Sequence, residues 1–242
     1  MTGHFSLIEA DHLGNVYGVT NDGYLKKYSA SGDSVAGWYN VRARGIPTVL
    51  DVSNPMRVLL YYRNYSTLVV LDRLLVQRNV IDLRQQQIFS VQAIANAYDN
   101  NIWIFDEQDF TVKKINENGT VLFKSADWRM LFPETPVPAS IMDMHNQVFL
   151  YDPKQGICIF DYYGSFKSMI PLRDLSFIGM NNSVIYGFSE NSLMLINTDN
   201  GSISKIPLPI NREKLKQIRY MNDYLYMLTD SGIIIQKQTK SN

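Results

Sequence analysis

The sequence predicts an all-β chain that closes on itself as a six-bladed β-propeller of four-stranded antiparallel blades, the last blade lacking its outer strand. Two observations lead there. A short apolar strand after a small or polar turn recurs as "GNVY" at Gly14, "PMRVLLYY" at Pro55, "NNIWIF" at Asn100, "NQVFLY" at Asn146, "NSVIYGF" at Asn182 and "NDYLYML" at Asn222. Its anchors Val16, Val58, Ile102, Val148, Val184 and Leu225 stand 42, 44, 46, 36 and 41 residues apart. A period near 40 built from strands is the signature of propeller blades.

Each unit opens with an apolar first strand: "FSLIEA", "PTVLDV", "SVQAIANA", "ASIMDM", "LSFIGM" and "KQIRYM". The anchor strand follows. A polar turn ("TNDG", "RNYS", "DEQD", "DPKQG", "SENS", "TDSG") then leads to a third strand ("YLKKYS", "TLVVLD", "TVKKIN", "ICIFDY", "LMLINT", "IIIQKQ"). Asn-Gly and Asp-Gly pairs supply the positive φ such turns need. Alternation in "YLKKYS" and "TVKKIN" predicts one solvated face for the third strand. A further hairpin turn ("ASGD", "NENGT", "YYGS", "TDNGS") opens a more polar fourth strand. "DRLLVQRNVIDLRQQQ" has helical periodicity, yet Leu74 to Leu83 falls where a fourth strand belongs. "INREKLKQ" at Ile210 is expected to form one helical turn. The blades run approximately 5–40, 46–84, 88–125, 137–172, 174–209 and 215–242, in one domain spanning 1–242.

The last unit ends after its third strand. Met1 to His4 is too short to supply a fourth. Two explanations stand: the natural chain begins upstream, with a closing strand and a signal peptide, or the last blade keeps an edge open to another chain. The first is preferred.

Composition narrows the function classes. Lys and Arg number 23, as do Asp and Glu, so the basic excess of a nucleic-acid binder is missing. No apolar run is long enough for a membrane helix. The single Cys158 rules out an intramolecular disulfide and, lying in "GICIFDY", reads as a buried, inert thiol. No nucleophile elbow, phosphate loop or Cys-x-x-Cys pair occurs.

"DHLGNVYGVTNDGYLKKYSASGDSV", through Gly14, Asn15, Tyr17, Tyr28 and Gly32, resembles the NHL-type six-bladed propeller repeat. "AYDNNIWIFDEQDFTVKKINENGTVL" matches it more loosely. "NPMRVLLYYRNYSTLVVLDRLL" is similar to envelope propellers of Bacteroidota, some linked to type IX secretion as periplasmic or outer-membrane partners. That resemblance implies other envelope proteins as partners and a periplasmic or outer-membrane-associated location, peripheral to the membrane. NHL-type propellers include hydrolases, lyases and binding platforms, so fold does not select among them.

Candidate sites are few. Glu9, Asp51 and Asp143 lie near the ends of first strands, as the carboxylates of channel-metal propellers do, but Ala95, Gly179 and Arg219 or their neighbours hold the matching positions elsewhere. A six-oxygen calcium shell is then incomplete, and no metal or cofactor is expected. His12 and His145 read as turn histidines, and "NTDNGS" at Asn197 as a hairpin turn. Two surfaces stand out. Arg42, Arg44, Arg57, Arg63, Arg73, Arg78 and Arg84 lie in a stretch without lysine, near Tyr61, Tyr62 and Tyr65, a composition typical of interface hot spots. Ala126 to Ser140 carries Trp128, Met130, Leu131 and Phe132 before three prolines, which stiffen a loop against docking entropy. Its aromatics either dock a partner or fold back over the blade beneath. The leading expectation is a non-enzymatic protein-interaction scaffold using Arg42, Arg44, Arg57, Tyr62, Arg63, Trp128 and Phe132. A metal-dependent lactonase or lyase with a channel site, and a carbohydrate-binding propeller, are the alternatives.

Overall fold

Every second strand of the repeat is apolar at nearly every position, not at alternate ones, and the architecture explains why: each sheet is covered on both faces by its neighbours. The structure, a computed structural model, describes residues 1–181, 183–208 and 214–238. Asn182 and most of the helical turn expected after Ile210 lie outside them.

Blade 1 comprises β1 (Phe5–Ala10), β2 (Val16–Thr20), β3 (Tyr24–Tyr28) and β4 (Ser34–Asn40). Blade 2 comprises β5 (Val49–Asn54), β6 (Arg57–Tyr62), β7 (Thr67–Asp72) and β8 (Gln77–Asp82), and blade 3 β9 (Val91–Asn96), β10 (Ile102–Asp106), β11 (Thr111–Ile115) and β12 (Val121–Lys124). Blade 4 is β13 (Ser140–Met144), β14 (Gln147–Asp152), β15 (Gly156–Asp161) and β16 (Phe166–Ile170). Blade 5 is β17 (Ser176–Asn181), β18 (Val184–Ser189), β19 (Ser192–Asn197) and β20 (Ile203–Pro207). Blade 6 has three strands, β21 (Gln217–Met221), β22 (Tyr224–Thr229) and β23 (Gly232–Lys237). Each sheet is an antiparallel meander in sequence order. The turns between first and second and between third and fourth strands therefore share one side, the lower face. The second-to-third turns and the linkers between blades share the other, the upper face.

The core is divided into six clusters, one in each gap between adjacent blades. β6 and β10 are buried along their whole length. β11 departs from the sequence expectation of one solvated face, since all its residues are buried. Blades on either side cover both of its faces, so Lys113 and Lys114 carry their charge to buried or half-buried carboxylates. Lys113 meets Asp106 and Asp109, and Lys114 meets Asp99.

The third-to-fourth turns reuse one device. The side-chain oxygens of Asp72, Asn116 and Asp161 each accept from the backbone N–H groups two and four residues on, at 2.8–3.0 Å. The Asn197 side-chain oxygen accepts from the N–H groups two and three residues on, those of Asp199 and Asn200, at 2.8 and 3.2 Å. An Asx side chain here substitutes for a backbone acceptor and fixes the reversal. His145–Asn146 and Asn222–Asp223 form two-residue turns with φ of 51° and 63°, and 51° and 62°, the left-handed pairs that match strand twist.

As expected, the segment before β1 supplies no fourth strand to blade 6, whose sheet has three. Met1–Thr2 nevertheless lies against the outer edge of β23 through one isolated bridge. Thr2 bridges Gly232, the Ile233 N–H donates to the Met1 carbonyl at 2.9 Å, and the Met1 amine donates to the Ile233 carbonyl at 2.8 Å. Gly232 permits this approach, because at its φ of +133° a Cβ would overlap the Met1 carbonyl oxygen. Beyond Ile233 the outer edge of β23 carries no strand among the described residues.

Candidate functional site

First strands surround a central channel holding a cavity of ≈ 580 Å³. An inner strand has one unpaired edge, and its N–H groups point at the channel. Neighbouring blades cap some of them: Gln217 Oε1 accepts from the Ile8 N–H at 2.7 Å, and Asp51 Oδ2 from the Asn96 N–H at 2.6 Å. Asp51 Oδ1 accepts from the Ser53 N–H at 2.8 Å. Arg219 Nε donates to Glu9 Oε1 at 2.5 Å across the gap between blades 6 and 1. Burial pushes the Glu9 carboxyl up; the arginine opposes this, and the charge of Asp51 adds to it.

Asp143 also lines the channel, and its carboxylate sits in a polar nest. Its Oδ2 accepts from the Trp103 indole at 2.7 Å and the Tyr98 N–H at 3.2 Å, and its Oδ1 from the Tyr162 hydroxyl. Burial raises its pKa against those hydrogen bonds. Above it the Lys114 ammonium sits in an aromatic box, 4.4 Å from the Trp103 ring centre, 5.3 Å from Tyr98 and 5.2 Å from Tyr162. His12 and His145 line the cavity from the lower mouth. Among the described residues no group of three or more His, Cys, Asp or Glu could hold a metal ion.

The seven residues expected to bind a partner separate by exposure. Arg42 and Arg63 are exposed and Arg44 is half-buried. They come from the linker after β4 and the short turn after β6, so all three belong to the upper face. Arg42 stacks on Tyr24 at 4.7 Å and donates to the Asp22 carbonyl at 2.6 Å. Arg44 lies over Tyr62 at 6.0 Å, and Arg63 donates to the Gln92 carbonyl at 2.8 Å. None of the three forms an ion pair with a described carboxylate.

Arg57, Tyr62 and Trp128 must be withdrawn from that surface, because they are 6%, 2% and 0% exposed. Arg57 starts β6 and bridges blades 2 and 3. Its Nη1 donates to Asn96 Oδ1 at 3.2 Å and the Asn101 carbonyl at 3.0 Å, and its Nε stands 3.3 Å from Glu117. Tyr62 ends a strand covered on both faces. Trp128 folds back into the gap between blades 3 and 4, stacked on Phe160 at 4.8 Å and 8°. Phe132 is half-buried beside it, edge-on to Phe166 at 5.0 Å. Met130 and Leu131, 85% and 44% exposed, are what the loop displays.

Trp38 is not among the residues that the sequence singles out. It is 60% exposed on β4, edge-on to Tyr24 at 4.9 Å and so next to Arg42. A tryptophan in the outermost strand of a four-strand repeat has no further blade layer to bury it, and that position is the available signal.

This geometry defines a six-bladed propeller with an amphiphilic channel and an arginine-bearing upper rim. Its structural similarity is to virginiamycin B lyase propellers. A streptogramin B lyase structure aligns at TM-score 0.62 and 15% identity over 99% of this chain and 84% of that one. Virginiamycin B lyase from Staphylococcus aureus aligns at 0.61 and 14%, over 99% and 86%. The WD40 domain of Neurospora crassa Pan2 aligns at 0.63 and 14%, over 97% and 76%. At such identities the likeness is one of fold. No family model and no curated protein matches the sequence.

Proposed function

We propose that this chain is a non-enzymatic propeller that docks a protein partner in a bacterial cell envelope, as an accessory of a secretion machinery of the type IX kind. The envelope setting rests on the resemblance of residues 54–75 to Bacteroidota propellers, and the scaffold class on the NHL-like repeat at 11–35. The observation that carries the binding reading is the upper rim, where Arg42, Arg44 and Arg63 present guanidinium groups with no described carboxylate paired to them, flanked by exposed Trp38. Unpaired arginine beside aromatic surface favours an acidic partner. The channel carboxylates support the non-enzymatic reading, since Glu9, Asp51 and Asp143 are each engaged by arginine, backbone amides or aromatic donors.

The test is capture of partners from envelope extract by the wild-type chain and by Arg42→Glu/Arg44→Glu/Arg63→Glu. Recovery is expected to fall about tenfold or more in the variant, and to fall with salt for the wild type. Equal recovery from both proteins, with both folded, overturns the assignment.

A further inference from the structure

We infer that the central channel is a binding site for a small organic cation with an apolar body, such as an alkylammonium. The inference stands on the channel alone and is independent of the rim reading above.

Strand pairing fixes one level of the channel. Glu9, Asp51, Ala95, Met142, Gly179 and Arg219 occur once per first strand, opposite Tyr17, Leu59, Trp103, Phe149, Tyr186 and Tyr226. The ring at this level has two halves. Blades 6, 1 and 2 supply Arg219, Glu9 and Asp51. Blades 3, 4 and 5 supply Ala95, Met142 and Gly179, extended along the wall by Ile94, Ile141 and Ile178. Truncation to Ala95 opens room on the apolar side, while beside Gly179 the space is taken by the Tyr186 ring. Gly179 is held to that size because a Cβ there would overlap the Tyr186 hydroxyl oxygen.

A cavity of ≈ 580 Å³ with one apolar wall and a few convergent polar groups has the size and make-up of a small-molecule site. The charged half decides the sign of the ligand. Among the side chains lining the cavity one guanidinium, Arg219, stands against three carboxylates, Glu9, Asp51 and Asp143, and it is already paired with Glu9. Asp51 makes hydrogen bonds to two backbone amides and no ion pair among the described residues. An added ammonium lowers the net negative charge of this lining, whereas an added carboxylate raises it. The ligand's chain then lies on Ile94, Ile141, Met142 and Ile178, where methionine adapts to differing shapes.

The experiment titrates the full chain by calorimetry with three probes of equal length, n-hexylammonium, 1-hexanol and n-hexanoate. Hexylammonium is expected to bind about tenfold or more tightly than hexanol, and hexanoate not at all. Asp51→Asn should remove most of the preference for the ammonium. Equal binding of all three probes, preference for hexanoate, binding of none, or an unchanged preference in folded Asp51→Asn each overturns the site. Asp51 also caps the Asn96 amide, so if that variant does not fold, the probe series on the native chain decides the matter by itself.

Discussion

Cys158 lies on β15, facing the gap between blades 3 and 4 with no exposed surface. Burial pushes its thiol up to about 12. Since the thiolate is the reactive form, the native protein should not react with a thiol-exchange reagent at pH 8, and should release one equivalent only on unfolding. Reaction at the rate of a free thiol would contradict the packing. Asp99 is legible in another way. Burial pushes it up, but hydrogen bonds from Lys114 and Asn101 and the lysine charge outweigh that, leaving its pKa lowered. A carboxyl with a lowered folded pKa stabilises the fold above the unfolded value near ~4, and that contribution is lost as pH falls through the folded value. Asp99→Asn should therefore lower stability at pH 7 and flatten the acid limb of a denaturation profile. A variant with an unchanged profile would show that the pair contributes nothing. The inert cysteine is readable from its apolar run. The Lys114 box is not, because Tyr98, Trp103, Lys114 and Tyr162 come from two blades and meet only through the ring.

At the scale of elements, the loop between β12 and β13 makes the sharpest prediction. Trp128 fills the gap between blades 3 and 4, yet its indole N–H has no hydrogen-bond partner among the described residues. Trp128→Ala should cost about 3–5 kcal/mol. Trp128→Phe keeps a ring on Phe160, leaves no buried donor unpaired, and should cost under about 1.5 kcal/mol. Chemical denaturation of the two variants checks this, and similar losses for both would contradict the stacking account. Strand order is legible because turn chemistry and strand period agree along the chain, and β8 prevails over a competing helical period by its place in the repeat. Side-chain direction is less so. Arg57 and Arg63 differ by six residues and read alike, but one begins a strand sandwiched between blades and the other sits in an exposed turn. Burial on both faces also removes the alternation expected in β11.

For the whole molecule, the repeat count sets the ring and the channel with it. Five wall positions can be named in advance from the repeat, but in blade 4 the register puts Met142, not the expected Asp143, at the level of Glu9 and Asp51. The pairing of the walls cannot be named in advance, because Glu9 and Arg219 stand 210 positions apart and meet only when the circle closes. The six separate cores also mean that no blade is stable against losing a neighbour, as each supplies half of two clusters.

That interdependence gives the Met1–Thr2 pairing a consequence in time. Five gaps are spanned by a continuous linker, while the gap between blades 6 and 1 is held by Met1–Thr2 on Gly232–Ile233, Gln217 on Ile8, Glu9 on Arg219 and Asn222 on His12. A closed circle with one non-covalent joint parts there first, so β22 and β23 should exchange their amide hydrogens sooner than β6 and β10. Gly232→Val, which drives a side chain into the Met1 carbonyl, should hasten exchange at that joint before it is felt across the circle. Uniform exchange in all blades would mean that the joint is as durable as the linkers.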